Sequence, residues 1–299
     1  MIRLLLALVV LPLAASPASA RTPDVTVPRP AFASERLSVE VVGSGPDVLL
    51  IPGLSSSPDV WRSTVAAVPG YRYHLVHIAG FAGKGAGANA SGPVVEPVAG
   101  EIARYIKEAG LKKPAIVGHS LGGAWAMMVA ARHPELASRV MVVDMMPFLG
   151  AMFGGPTATT ESVRPIAEKM RQGIAASAGE ARRKQIEQTI AGMVRTEAMR
   201  PRIVEHSLAS DPAAYGQAMY DLIIADLRPD VARIKVPFTV LYVLPAGAPL
   251  TEAQIERYYA MSYAGAPQAV LKRIPDSYHF IMLDAPEAFR TELKAFLAK

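Results

Sequence analysis

The chain has 299 residues, 51% of them hydrophobic, and contains no cysteine. This length and apolar content allow a sizeable core, in one large domain or two of ordinary size. The lack of cysteine excludes disulfides, thiol catalysis and thiolate metal sites, and a net charge of +5 with scattered Lys and Arg argues against nucleic-acid binding.

Residues 1–20 have the pattern of a secretory signal peptide. A positive residue near the start precedes an apolar run over residues 4–15, and Ala18 and Ala20 then provide a small-x-small cleavage site. The apolar run is shorter than the ~20 residues that a membrane-spanning helix needs. We therefore predict cleavage after Ala20, export to the periplasm or the medium, no lasting membrane anchor, and an extended, proline-rich leader over residues 21–35.

Short β-rich runs then alternate with longer helical patterns. The predicted strands lie at residues 37–42, 48–51, 71–78, 115–117, 140–143, 238–244 and 269–274. The predicted helices lie at residues 58–68, 94–109, 121–132, 252–263 and 286–298. Such alternation indicates an α/β fold, in which a mostly parallel central sheet is covered by helices on both faces.

Residues 146–225 interrupt the alternation, because they carry helical patterns only. This predicts a helical cap inserted into one core that is formed by residues 36–145 and 226–299. Bulky apolar side chains at the start of the cap are candidates for lining an adaptable substrate pocket, although packing within the cap would explain them equally well. These candidates are Met145, Met146, Phe148 and Phe153.

The turn between the predicted strand at 115–117 and the predicted helix at 121–132 has the pattern Gly118-x-Ser120-x-Gly122. A strand, a tight glycine-flanked turn and a helix form the setting of a nucleophile elbow, in which the serine is held exposed on a strained turn. The start of the helix also brings amide donors and a favourable dipole to a developing oxyanion. The alternative is an ordinary turn in which Ser120 caps the helix.

Together with its neighbours over residues 117–123, this elbow resembles that of the α/β-hydrolase superfamily, in particular its serine esterases and lipases with a helical lid. The resemblance extends over about residues 36–298. It implies the α/β-hydrolase fold, with the cap inserted after the strand that follows the nucleophile helix, and it makes Ser120 the expected nucleophile.

The resemblance also implies an oxyanion hole built from two backbone amides. One follows the nucleophile, at Leu121, and the other follows the glycine turn after the strand at 48–51, at Leu54. This sequence departs from the family pattern there, since Pro52 precedes the glycine where a histidine is usual. A plain strand-ending turn is the alternative interpretation.

The general base is expected after the last strand of the sheet, where His279 lies. The usual acid follows the strand at 238–244, but the loop at 245–251 contains no carboxylate. Some members of the superfamily carry the acid one unit earlier, and that position is Asp144 here. Glu252 and the absence of any functional acid are the alternatives, and Asp276 is expected to belong to a turn.

The sequence thus predicts an exported serine hydrolase that needs no metal or cofactor and cleaves apolar carboxylic esters of small molecules. Lactonase, C–C bond hydrolase, amidase or aminopeptidase, and perhydrolase activities use the same machinery and stay open. A further alternative is not an enzyme but a binding protein that keeps the fold and catalyses no reaction. The missing carboxylate after residue 244 is its only support.

Overall fold

A computed structural model describes residues 32–298 of the chain. The signal peptide predicted over residues 1–20, and the predicted leader up to residue 31, lie outside the described residues. The end of that leader packs on the domain, because the Phe32 ring meets the Tyr105 ring edge-on at 5.0 Å between centroids.

The core is a seven-stranded sheet in the order β1-β3-β2-β4-β5-β6-β7, in which β1 is antiparallel to β3 and all other pairs are parallel. The strands are β1 (Leu37–Gly43), β2 (Asp47–Ile51), β3 (Arg72–Ile78), β4 (Ala115–His119), β5 (Arg139–Val143), β6 (Phe238–Tyr242) and β7 (Ala269–Arg273). The predicted mostly parallel sheet is confirmed.

Helices connect and cover the strands. They are α1 (Arg62–Ala67), α2 (Val95–Glu108), α3 (Leu121–Arg132), α4 (Ala151–Gly154), α5 (Thr160–Ala176), α6 (Gly179–Met193), α7 (Arg200–Leu208), α8 (Pro212–Ile224), α9 (Arg228–Val231), α10 (Glu252–Ser262), α11 (Ile281–Asp284) and α12 (Pro286–Leu297). No helix within residues 32–298 is long and apolar enough to cross a membrane.

The sheet divides the hydrophobic core into two layers, as the side chains of β2 show. Leu49 and Ile51 pack in the cluster that contains α2 and α3, whereas Val48 and Leu50 pack in the cluster that contains α12. Successive side chains of a strand point to opposite faces, so the two clusters lie on the two faces of the sheet. Both faces are buried, which is why residues 48–51 of β2 form a continuous apolar run without polar alternation.

Helix α3, which follows the turn at Ser120, is apolar all round. Every one of its residues except Arg132 is buried, as expected for a helix enclosed between a sheet and other helices. The elbow therefore stands on one of the most deeply packed segments of the fold.

The segment between β5 and β6 is helical. Helices α4 to α9 lie in it, and its described residues contain no strand. Helix α5 packs against α8, and α6 packs against α7. Two of these helices carry strong start signals, since a reciprocal pair of hydrogen bonds between Thr159 and Ser162 caps α5, and the Asp211 side chain accepts two amide hydrogen bonds at the start of α8.

Two local predictions differ from the structure. The helix predicted at residues 58–68 is split into a 3₁₀ turn, Pro58–Trp61, followed by α1. The strand predicted at residues 238–244 ends at Tyr242, because the next amide, that of Val243, turns away to donate a hydrogen bond to the Asp144 side chain at 3.3 Å.

Candidate active site

Ser120 occupies the sharp turn between β4 and α3. Its backbone lies at φ 53° and ψ −124°, a conformation that costs a non-glycine residue about 1–3 kcal/mol. The surroundings hold it there. Its amide donates to the Val143 carbonyl at 2.9 Å, and its carbonyl accepts from the amides of Gly123 and Ala124 at 2.7 and 3.2 Å.

Two glycines make this turn possible. A Cβ atom at Gly118 would overlap the Gly122 carbonyl, and a Cβ atom at Gly122 would overlap the Ile51 carbonyl of β2. Both obstacles are backbone atoms, which cannot move aside as a flexible side chain can. The spacing Gly-x-Ser-x-Gly thus follows from the close approach of β2, β4 and α3.

The loop after β2 lies directly against the serine. A Cβ atom on Gly53 would come within 2.9 Å of the Ser120 Cβ atom. Within residues 32–298, the amides of Leu54 and Leu121 are not hydrogen-bond donors to any protein group. Leu121 is the first residue of α3, where amides lack an acceptor within the helix. Two unengaged donors therefore flank Ser120, as an oxyanion hole requires.

His279 and Asp144 come from different ends of the core and meet beside this turn. The His279 Nδ1 atom lies 2.6 Å from the Asp144 Oδ2 atom. Asp144 has a left-handed backbone, with φ at 53°, and its amide donates to the Leu241 carbonyl of β6 at 2.7 Å. A carboxylate on Nδ1 fixes the tautomer that leaves Nε2 available as a general base.

The two other carboxylates considered in sequence are engaged elsewhere. Glu252 pairs with Arg273 at 2.8 Å, and its side chain is 63% exposed. Asp276 pairs with Arg195 at 2.7 Å, and its side chain is 84% exposed. The Asp144 side chain is only 10% exposed, so the structure brings His279 together with Asp144 and leaves both alternatives in solvent.

His119 also contacts His279, a contact that the sequence analysis did not anticipate. The His119 ring lies 4.6 Å from the His279 ring, and its Nε2 atom donates to the His279 carbonyl at 3.0 Å. Burial, with the charge of His279 as the next cause, holds the pKa of His119 well below the usual histidine value. A neutral imidazole thus links the nucleophile elbow to the His279 loop.

The four predicted pocket residues lie in three different environments. Met145 and Met146 are buried in the cluster beside α3. Phe148 is buried in a separate cluster within the cap, with the Arg228 guanidinium 4.6 Å from its ring centre. Phe153, on the four-residue helix α4, is 42% exposed. The structure thus places the four side chains in no single cluster, and their role in a common pocket stays a prediction.

A different set of side chains lines a cavity of about 420 Å³ within the cap. It lies between the α5–α8 pair and α6, and its walls are mainly apolar. The apolar lining residues are Ile166, Met170, Ile174, Ile186 and Met219. Sequence periodicity does not distinguish such lining residues from packed ones, because both fall on the same helix face.

Comparisons with known proteins agree with this architecture. The model of the alpha/beta hydrolase family matches residues 48–292. Two relatives are pimeloyl-[acyl-carrier protein] methyl ester esterases. The protein from Vibrio atlanticus is 32% identical over 119 residues, 40% of this chain and 43% of its own length. The protein from Pectobacterium carotovorum is 24% identical over 258 residues, 84% of this chain and 93% of its own length.

Among solved structures, an esterase from Exiguobacterium antarcticum superposes with a TM-score of 0.71 at 21% identity. The superposition covers 88% of this chain and 96% of that one. At this identity the similarity demonstrates a shared fold.

Proposed function

The chain belongs to the alpha/beta hydrolase family, and we propose that it hydrolyses carboxylic esters through an acyl-enzyme formed on Ser120. The observation that carries this proposal is the 2.6 Å contact between His279 Nδ1 and Asp144 Oδ2 beside the strained Ser120 turn. It also argues against a binding protein without turnover, because a buried carboxylate contacts His279 although residues 245–251 contain none.

In the proposed reaction, the Ser120 Oγ atom attacks the ester carbonyl while His279 Nε2 takes the hydroxyl proton. The negative charge on the carbonyl oxygen is stabilised by the amides of Leu54 and Leu121. His279 then gives its proton to the departing alcohol, which leaves an acyl group on Ser120. A water molecule, deprotonated by the same histidine, releases the carboxylic acid and restores the serine.

We assign the cap cavity to the acyl chain of the ester. Helix α6 carries Ile186 on the cavity wall, and the Met193 carbonyl at its C-terminus accepts a hydrogen bond from the Phe280 amide at 3.3 Å. Phe280 directly follows His279, and seven helical residues span ~10 Å. About two turns of α6 therefore separate the cavity wall from the loop of the proposed catalytic histidine, and the apolar part of that wall suits an apolar acyl group. The two bacterial relatives are methyl ester esterases by name, which also supports an ester substrate.

A graded set of p-nitrophenyl esters, from acetyl to decanoyl, tests this assignment. We expect kcat/KM to rise with chain length in the wild type, and Gly173→Phe to lower it by about tenfold for the octanoyl ester while sparing the acetyl ester. Gly173 lines the cavity, and a Cβ atom there meets open space, so the added ring fills the cavity and removes apolar burial for the chain.

Gly192→Phe is the matched control, because Gly192 on α6 also faces open space and is not among the residues lining the cavity. Equal losses for both esters, or for both variants, would contradict the assignment. Amides and lactones of the same acyl groups belong in the same assay. A marked preference for one of them over the ester would replace the ester proposal with the corresponding activity.

We also propose that the protein is exported. The support is the pattern of residues 1–20, a positive start, an apolar run and the small residues Ala18 and Ala20. Mass spectrometry of the protein from its native host should find Arg21 as the first residue, in the periplasmic or extracellular fraction. A chain that keeps Met1 and stays in the cytoplasmic fraction would contradict export.

A further inference from the structure

Helix α10 contributes a buried tyrosine to the Asp144 carboxylate. The Tyr259 hydroxyl donates a hydrogen bond to Asp144 Oδ1 at 2.9 Å, and the Val243 amide donates to the same oxygen at 3.3 Å. The other oxygen, Oδ2, faces His279 Nδ1. The two carboxylate oxygens are thus divided, one held by the scaffold and one presented to the imidazole.

The Tyr259 side chain is itself tightly held. It is 3% exposed, and its ring stacks on the Tyr242 ring of β6 at 4.1 Å with 20° between the planes. One helical turn later, the Tyr263 hydroxyl donates to the Met145 carbonyl at 2.7 Å. Helix α10 therefore holds the residue after Asp144 as well as the Asp144 carboxylate.

We propose that Tyr259 is a positioning residue that holds Asp144 in the orientation His279 needs for ester hydrolysis. This inference rests on the proposed function. Asp144 needs such support because it directly follows β5 and has a left-handed backbone conformation. A single χ1 rotation would take this short side chain away from His279, and the Tyr259 and Val243 donors oppose that rotation.

The titratable groups around this pair are few. His279 faces Asp144 and His119, and Asp144 faces His279, Tyr259 and, at longer range, Tyr263. Burial, together with the negative charge of Asp144, raises the pKa of Tyr259 well above the usual tyrosine value. The hydroxyl therefore stays protonated and remains a donor throughout the working pH range.

Tyr259→Phe tests the proposal, with Tyr258→Phe as the matched control. The Tyr258 hydroxyl is buried without a hydrogen-bond partner in the described part of the chain, so its removal breaks no such contact. We expect Tyr259→Phe to lower kcat/KM for a p-nitrophenyl ester by about tenfold, in line with a hydrogen bond to a charged group, and Tyr258→Phe to leave it near the wild-type value.

The split between kcat and KM separates positioning from a loss of structure. An Asp144 carboxylate that is no longer held weakens the general base in the transition state and leaves substrate binding intact. The loss in Tyr259→Phe should therefore fall on kcat with little change in KM, whereas Tyr258→Phe should keep both constants near their wild-type values. Rates are taken per active site, counted by titration with a fluorophosphonate, so that misfolded protein does not contribute.

A double mutant provides the second measurement. If Tyr259 acts through Asp144, Tyr259→Phe added to Asp144→Asn should cost little further activity, because the two effects are not additive. The positioning role is overturned if the wild type is active and Tyr259→Phe leaves kcat unchanged or changes only KM, or if the two losses simply multiply. A wild type without ester hydrolysis would instead contradict the proposed function, and the positioning role with it.

Discussion

Ser120→Ala is expected to lower kcat for p-nitrophenyl ester hydrolysis by about 10⁵-fold or more, the size of effect seen when a serine hydrolase loses its nucleophile. No other hydroxyl of the described chain stands on the elbow between β4 and α3 with unengaged amides on both sides. Alanine tolerates the φ of 53° at this position about as well as serine does, so the folded state should persist.

Steady-state kinetics and thermal unfolding of purified Ser120→Ala check this expectation. Ser63→Ala is a suitable control, because Ser63 is an exposed serine on α1. The control should retain wild-type kcat and the same melting temperature. A Ser120→Ala protein that keeps more than about a hundredth of the wild-type kcat would exclude Ser120 as the nucleophile.

Asp144→Asn is expected to lower kcat by about 10³- to 10⁴-fold with little change in folding. Asparagine has nearly the same shape as aspartate, and its carbonyl oxygen still accepts hydrogen bonds. It lacks the charge that stabilises the protonated His279, and its amide can impose the wrong tautomer on the imidazole. The 2.6 Å contact between Asp144 Oδ2 and His279 Nδ1 is the observation behind this expectation.

The two other carboxylates considered in the sequence supply the controls. Asp276→Asn and Glu252→Gln each remove an exposed charge that pairs with an arginine, and such pairs contribute at most about 1 kcal/mol to stability. Both variants should keep nearly full activity. If Asp144→Asn were active and Glu252→Gln inactive, the acid would be Glu252, which follows β6, and not Asp144, which follows β5.

Much of the fold follows from local patterns in the sequence. Runs such as Val48–Ile51 are apolar throughout because both of their faces are buried. Such a run can be recognised as a strand without knowledge of the neighbouring strands. The split of the helix predicted at 58–68, and the four-residue helices α9 and α11, were missed. Elements of that length show too little periodicity to be recognised.

The sequence predicts the candidate site only for residues whose position in the chain indicates their place in the fold. Ser120, His279 and Asp144 stand at ends of strands, and the missing carboxylate at 245–251 directs attention to β5. The roles of His119 and Tyr259 depend on contacts 160 and 115 residues apart in the chain. A histidine in the elbow and a tyrosine on an amphipathic helix give no local sign of such contacts.

Covalent labelling with a fluorophosphonate probe tests the assignment of Ser120 as the nucleophile most directly. The intact protein is labelled, and the labelled peptide is identified by mass spectrometry. We predict that the wild type takes up one probe per chain, on the peptide that contains Ser120, and that Ser120→Ala takes up none. A wild type that resists the probe, or a Ser120→Ala protein that is labelled as fast as the wild type, would contradict the proposed nucleophile.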